Sequence, residues 1–143
     1  MHLLPATTHD LEAIRALLRA CDLPFADLGG SHLAHFFVIK DADQTVGSIG
    51  LEICNEFGLL RSLAISPALR GQGQGVKLVK QTEAYARTLK INALYLLTTT
   101  ADKFFSKLDY QEIPRSSAPA PLQATTEFQS ICPDSAICMQ KQL

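Results

Sequence analysis

The chain has 143 residues, of which 47% are apolar and 19% charged, with 13 basic and 14 acidic side chains. This composition predicts a folded domain and excludes a disordered chain, and the absence of a basic excess excludes a general nucleic-acid-binding surface. No apolar stretch is long enough to span a membrane, and the N-terminus lacks the pattern of a secretion signal, so we expect a cytoplasmic protein without a membrane partner.

Helical and strand periodicities alternate along the chain and predict an α/β fold. Thr7 and Asp10 have the spacing of a capping box, and apolar residues at helical spacing follow them. The predicted elements are a helix over 8–21, a short helix or turn over 27–35, strands over 36–39 and 45–53 paired as an antiparallel hairpin, a strand over 59–65, a helix over 75–89, a strand over 92–99, a helix over 101–108, a strand over 110–113, a loop over 114–121 and a last strand over 136–140.

Three glycines, Gly71, Gly73 and Gly75, lie between a predicted strand and a predicted helix. Glycines let the backbone approach a ligand closely, and free N–H groups at a helix start bind phosphate oxygens. The dinucleotide fingerprint does not fit, because Val76 and Leu78 stand where it needs glycine, and the P-loop pattern is absent. The segment therefore predicts a phosphate site of another kind, with a glycine-rich surface turn as the alternative.

The segment Leu63-Ala64-Ile65-Ser66-Pro67, followed by Arg70-x-x-Gly73-x-Gly75, resembles the signature of the GCN5-related N-acetyltransferases (GNAT). The resemblance implies one N-acetyltransferase domain over residues 1–143, with acetyl-CoA as cosubstrate. It also implies a mixed, largely antiparallel, twisted sheet that is flanked by helices and whose fourth and fifth strands are splayed. The residues implied to bind acetyl-CoA are Leu63, Ala64, Ile65, Arg70, Gly71, Gln72, Gly73, Gln74, Gly75, Val76, Thr98 and Phe105.

Two acid–base groups that are common in this family are missing. Phe105 stands where many members have a tyrosine acid, and Leu59 or Leu60 stands where many have a glutamate base. Either the thiolate leaves without a protein acid, since its pKa is near 8.5 in reference peptides, or the chain binds CoA without catalysis. Glu52 and His35 are the predicted catalytic residues in the first case, although each could be purely structural.

Arg61 interrupts an apolar strand, and simple alternation places it on one face with Leu59, Leu63 and Ile65. A charge there should be paired or functional, so Arg61 is predicted to hold an anionic group of the substrate, or else to form a salt bridge with Glu52 or Glu56. The further predicted substrate-binding residues are His32, Thr99 and Thr100.

Other segments are similar to the acetyltransferases of arsenic-resistance operons and, more distantly, to those of the N-acetylglutamate synthase type. They are Leu23-Pro24 with Asp27-Leu28, His32-Leu33-x-His35-Phe36-Phe37-Val38, Leu96 to Ala101 with Phe104-Phe105, and Glu127-Phe128 with Cys132-Pro133 and Cys138-Met139. This resemblance implies that the acceptor is a small amino acid or a toxic phosphinic or arsinic analogue. Homodimers are common in the fold, and the sequence leaves this open.

Four cysteines are expected to be reduced, and none has a common metal-ligand spacing, so no metal site is predicted. Three hypotheses follow. The chain is an N-acetyltransferase acting on a small amine, or a CoA-binding protein without activity, or a metalloid-binding protein that uses Cys132, Cys138 and Cys54.

Overall fold

A seven-stranded sheet forms the centre of the computed structural model, which describes residues 1–143 apart from the side chains of residues 130 and 131. The strands lie in the order β1-β2-β3-β4-β5-β7-β6, and all neighbours are antiparallel except β4 and β5. This confirms the predicted mixed, largely antiparallel sheet. The strands are β1 (His2–Pro5), β2 (Phe36–Asp41), β3 (Gln44–Cys54), β4 (Phe57–Ile65), β5 (Ala93–Thr98), β6 (Gln111–Ile113) and β7 (Ile137–Gln142).

Helices cover both faces of this sheet. They are α1 (Leu11–Ala20), α2 (Gln74–Thr88), α3 (Asp102–Ser106) and α4 (Ala120–Gln123). Short 3-10 helices occur at Thr8–Asp10, Gly30–His35, Pro67–Leu69 and Arg115–Ser117, and a π-helical turn at Glu127–Ile131. No helix among the described residues combines the length and the apolar character that crossing a membrane requires.

Alternation along the strands divides the core between the two faces. Leu94 and Leu96 of β5 pack on the α2 side, together with Leu78 and Val79 of α2. Tyr95 lies on the opposite face, in a cluster with Leu59 and with Leu122 of α4. The other end of that face is covered by α1, whose Ile14 and Leu18 pack against Phe36 and Val38.

Most of the predicted elements are confirmed with small shifts of their ends. The capping interaction before α1 is present, since the Asp10 carboxylate accepts a hydrogen bond from the Thr7 N–H at 2.8 Å. The hairpin of β2 and β3 is antiparallel, as predicted. The segment 27–35 contains a 3-10 helix, whereas 114–121, predicted to be a loop, contains a 3-10 helix and the start of α4. Strand β1 was not predicted.

A bulge in β4 changes which residues of this strand share a face. Gly50 of β3 pairs with Arg61 while Ser48 pairs with Ala64, so an additional residue is inserted in β4 between these pairs. Ser62 occupies the bulge with φ +59°, in the left-handed region. Leu63 and Ile65 therefore pack on the α2 face, whereas Leu59 packs on the opposite face. The prediction that all three share one face was wrong, because a bulge shifts the alternation by one residue.

Candidate active site

A wedge-shaped cleft opens between β4 and β5. The two strands pair in parallel at three positions, from Phe57 with Ala93 to Leu59 with Tyr95. Beyond these pairs β4 continues to Ile65 and β5 continues to Thr98, but the two strands no longer pair with each other. This divergence confirms the predicted splay. The cleft has a volume of about 950 Å³ and is lined by the diverging strand ends, the glycine loop and Phe104.

The glycine loop forms one wall of the cleft. Gly71 and Gly73 have φ values of +81° and +78°, and no atom lies within 4 Å of where a Cβ would stand on either. Backbone conformation rather than crowding therefore explains these two glycines. Gly73 is the N-cap of α2, and no side chain caps this helix end. Because the first N–H groups of a helix lack partners within the helix, the start of α2 offers the cleft a set of donors suited to an anion.

Arg70 holds this loop against the end of β4. Its Nε donates to the carbonyl oxygen of Ile65 at 3.2 Å, and its Nη2 lies 3.3 Å from the sulfur of Cys21. The guanidinium adds a positive charge beside the α2 N-terminus. Both features favour a phosphate ligand at this end of the cleft.

Arg61 lies at the other end of the cleft, inside a ring of carboxylates. Its buried guanidinium forms a bidentate pair with Asp27, at 2.6 and 2.8 Å, and bonds Glu52 at 2.5 Å. The Arg61 Nε donates to the Ser62 hydroxyl at 3.0 Å and lies 3.6 Å from Oε1 of Glu127. Four of the five guanidinium N–H groups therefore have partners.

The charged groups in this cluster shift one another's pKa values. Burial alone would lower the pKa of Arg61, but the hydrogen bond with Asp27 and the charge of Glu127 raise it. Burial alone would likewise raise the pKa of Asp27, but the hydrogen bonds and charge of Arg61 hold it below its ordinary value. Burial raises the pKa of Glu127 to about 7, with Arg61 opposing and Asp27 and Glu52 adding to the rise.

Most of the residues predicted to bind the cofactor line this single cleft. Gln72 does not line the cleft. The predicted residues that do line it are Leu63, Ala64, Ile65, Arg70, Gly71, Gly73, Gln74, Gly75, Val76, Thr98 and Phe105. The Thr98 hydroxyl accepts hydrogen bonds from the backbone N–H groups of Ala101 and Thr100, at 2.9 and 3.4 Å, and so shapes the turn before α3. Phe105 is buried and packs against the rings of Phe104 and Tyr110.

The predicted catalytic and substrate-binding residues separate into two groups. Arg61, Thr99 and Thr100 line the cleft. Glu52 reaches it only through its bond with Arg61. His32 and His35 do not line the cleft. Nδ1 of His32 accepts the Gly29 N–H at 3.1 Å, and the ring adjoins Asp27 and Glu52. Nδ1 of His35 is 2.7 Å from the Tyr85 hydroxyl. The roles predicted for these residues stay predictions.

Sequence reasoning missed Glu127 and Asp27 as site residues. Glu127 lines the cleft, and Asp27 forms the bidentate pair with Arg61. Neither belongs to a spacing pattern, and both come from loop regions distant in sequence from Arg61. One signal was the charge of Arg61 in an apolar strand, which requires carboxylate partners without indicating which ones. The other was the presence of both residues in segments that resemble the arsenic-operon acetyltransferases.

The cysteines do not form a metal-ligand group among the described residues. The group of possible ligands there is Asp27, His32 and Glu52, whose ligand atoms lie within 4.8 Å of one another. Arg61 already supplies the positive charge for two of them. Burial raises the pKa of Cys132 to about 12 and that of Cys138 to about 11, so both thiols stay protonated near neutral pH. A raised thiol pKa makes the thiolate that a metal or metalloid binds harder to form.

Residues 32–112 match the family model of the acetyltransferase (GNAT) domain, and this span includes β4, the glycine loop and β5. The chain belongs to the GNAT acetyltransferase family. The match confirms the resemblance that was recognised in the glycine motif. A relative in this family, the uncharacterised N-acetyltransferase CT2212 of Chlorobaculum tepidum, is 29% identical over 89 residues. The aligned region covers 62% of this chain and 57% of that protein.

Solved structures share the fold of this chain. Rv2747 from Mycobacterium tuberculosis, solved in complex with CoA, has a TM-score of 0.82 and 22% identity, covering 100% of this chain and 99% of that one. N-acetylglutamate synthase from Neisseria gonorrhoeae, complexed with coenzyme A and N-acetyl-glutamate, has a TM-score of 0.85 and 19% identity. That match covers 99% of this chain and 35% of the synthase.

Proposed function

We propose that this protein is an acetyl-CoA-dependent N-acetyltransferase that acetylates the amino group of a small amino acid or an amino-acid analogue. The observation that carries the proposal is the uncapped start of α2, which opens into the cleft between the diverging ends of β4 and β5. The glycine loop of the cleft suits a phosphate group, and the same cleft contains the polar cluster around Arg61. Membership of the GNAT family supports the reaction class.

The binding mode follows from the walls of the cleft. Backbone N–H groups from Gly71 to Val76 would hold the pyrophosphate of acetyl-CoA, with the α2 dipole adding to the attraction. The main chain of Leu63 and Ile65 would hold the pantetheine arm. The thioester would then lie beside the β4 bulge, where backbone N–H groups would stabilise the oxyanion that forms as the amine attacks.

A small acceptor is supported by the surroundings of the bulge. Arg61 and its three carboxylates form a compact polar cluster there, with Thr99 and Thr100 also on the cleft wall. The synthase from Neisseria gonorrhoeae, which shares the fold, was solved with N-acetyl-glutamate. The resemblance to arsenic-operon acetyltransferases adds phosphinic and arsinic amino-acid analogues to the acceptors worth testing.

The test measures CoA release with a thiol reagent, using acetyl-CoA and a panel of glutamate, other amino acids and phosphinothricin-like analogues. A reaction without acceptor corrects for the thiols of the protein. Amine-dependent release, with the N-acetylated product identified by mass spectrometry, supports the proposal. Acetyl-CoA binding without release for any amine contradicts it and favours the CoA-binding alternative, which the buried Phe105 in place of an acid also suggests.

A pair of variants tests the phosphate site separately. Asparagine and aspartate both tolerate the positive φ of Gly73 and are similar in size, but only aspartate adds negative charge. We expect Gly73→Asp to weaken acetyl-CoA binding at least tenfold relative to Gly73→Asn, measured by calorimetry. Equal affinity of the two variants would contradict a pyrophosphate at this position.

A further inference from the structure

Glu127 is a buried carboxyl group on the wall of the cleft. Only 4% of the residue is exposed, and it lines the cleft together with Arg61 and Ser62. It belongs to the π-helical turn that follows α4. Arg115 fixes this turn, because its two Nη groups donate to the carbonyl oxygens of Phe128 and Pro133, at 2.6 and 2.8 Å. The backbone next to Glu127 is therefore tied to the 3-10 helix at Arg115–Ser117.

The contacts of Glu127 differ from those of the other carboxylates around Arg61. Asp27 and Glu52 both accept hydrogen bonds from the guanidinium. Glu127 has only the longer contact of 3.6 Å with Arg61 Nε, and among the described side chains none donates a hydrogen bond to its carboxylate. Its lone pairs are available to a ligand in the cleft.

The charge balance indicates what kind of ligand would complete the cluster. Asp27, Glu52 and Glu127 supply three acidic groups, against one guanidinium from Arg61 and the imidazole of His32, which adjoins Asp27 and Glu52. A cationic N–H donor would both offset negative charge in the cluster and donate a hydrogen bond to Glu127. The ammonium group of an amine acceptor has these two properties.

The position of Glu127 relative to the bulge matches this role. Arg61 Nε contacts Glu127 on one side and the Ser62 hydroxyl on the other, and Ser62 is the bulged residue of β4. The proposed path of the thioester runs along Leu63, the next residue. Glu127 and the reacting carbonyl would thus share the same end of the cleft.

We propose that Glu127 is the general base that removes a proton from the acceptor amine. This inference rests on the proposed acetyltransferase function. The ionised carboxylate takes one proton from the ammonium nitrogen, which becomes a neutral amine. The amine forms a C–N bond with the thioester carbonyl carbon while the C–S bond breaks. The second proton passes from nitrogen to the departing CoA sulfur, and Glu127 then releases its proton to solvent.

The acidity of Glu127 suits this task. Burial raises its pKa to about 7, although Arg61 opposes the rise, so the group is partly ionised at neutral pH and can accept a proton there. The charged and titratable groups that face it are Arg61, Asp27, Glu52 and Cys132. The Cys132 thiol has its own pKa raised to about 12, by burial first and by Glu127 second, and stays neutral.

The experiment compares pH profiles of kcat/KM for the wild type, Glu127→Gln and Glu52→Gln. We expect Glu127→Gln to lose about 100-fold or more in kcat/KM for the amine and to lose the acidic limb of the profile. Its KM for acetyl-CoA should stay unchanged. Glu112→Gln, at an exposed position of β6, serves as the matched control with wild-type kinetics.

A direct titration supplies a readout that a structural role alone would not produce. In carbon NMR of glutamate-labelled protein, the carboxyl signal missing from Glu127→Gln identifies this residue. A midpoint near neutral pH supports the proposal, and a midpoint in the ordinary range of glutamate overturns it.

The outcomes separate the two proposals. Wild-type turnover with an unchanged profile in Glu127→Gln overturns the role of Glu127 alone. Loss of the acidic limb in Glu52→Gln but not in Glu127→Gln also overturns it and assigns the base to Glu52. No turnover of the wild type with any amine overturns the proposed function, and the base role with it.

Discussion

Replacing Arg61 by methionine isolates the electrostatic role of the guanidinium, because methionine keeps much of the side-chain volume. The Arg61 side chain has no exposed surface, and it binds Asp27 and Glu52 and contacts Glu127. Removing one partner of a buried ion pair costs about 3–5 kcal/mol, since the remaining charge is left without compensation. Domains of this size are stable by only about 5–15 kcal/mol, so we expect Arg61→Met to be folded but strongly destabilised.

The loss of stability in Arg61→Met depends on pH, and the pKa values of the carboxylates determine the direction of this dependence. In the wild type the lowered pKa of Asp27 contributes stability that is present above the ordinary pKa and is lost as the pH falls through the lowered value. Without Arg61 the buried carboxylates have raised pKa values, so their ionisation destabilises the variant above those values. The difference between wild type and Arg61→Met should therefore be large near about pH 8 and smaller near about pH 5.

Urea unfolding at both pH values measures this difference. Arg61→Lys retains the positive charge but cannot form the bidentate pair with Asp27. Its stability should therefore lie between those of the wild type and Arg61→Met. Arg87→Met on the exposed face of α2 is the control, expected to cost less than about 0.5 kcal/mol. A loss in Arg61→Met no larger than in this control, or equal at both pH values, would refute the reasoning.

Three further variants test other parts of the molecule by urea unfolding. A Cβ on Gly50 would lie 2.2 Å from the ring of Phe36, so Gly50→Ala should cost about 1–3 kcal/mol, and a second change of Phe36→Leu should recover part of the loss. Because burial raises the pKa of Glu127 from 4.5 to about 7, its ionisation lowers the stability of the wild type by about 3 kcal/mol as the pH rises through this interval, and Glu127→Gln should remove that loss. Lys141 bonds the buried Glu83 carboxylate at 3.0 Å, so Lys141→Met should cost about 2 kcal/mol.

Each of these variants has a matched control elsewhere in the chain. For Gly50→Ala it is Gly30→Ala, where the nearest atom to a Cβ is 3.7 Å away. For Glu127→Gln it is Glu112→Gln, and for Lys141→Met it is Lys80→Met, both at exposed positions. Stabilities equal to those of the controls would contradict the corresponding argument.

Local patterns predicted the parts of the fold that depend on local forces. The helical spacing of Leu11, Ile14, Leu17 and Leu18 predicted α1. The glycines between a strand pattern and a helix pattern predicted the wall of the cleft at Gly73. In these places the residue pattern and the buried face coincide, so periodicity is sufficient.

The parts that were missed depend on the rest of the molecule. The bulge at Ser62 leaves no mark in the alternation of a strand that is apolar on both faces, and it reversed the predicted face of Leu63. Strand β1 is four residues long and largely exposed, and its pairing with β2 is the interaction that defines it. Glu127 approaches Arg61 only when α4 packs on the sheet, and no local pattern contains that contact.

The brief pairing of β4 with β5 divides the sheet into two parts, β1 to β4 and β5 to β7. These two parts of the sheet share a seam of three residue pairs. A pantetheine chain bound in this seam would take the place of a strand and link the two parts of the sheet. Cofactor binding would then be coupled to the cooperativity of unfolding. At a concentration 100 times its dissociation constant, such a ligand stabilises the folded state by about 2.7 kcal/mol. Hydrogen exchange along the seam would slow on binding, so that the acetyl donor contributes to the architecture of the protein as well as to its chemistry.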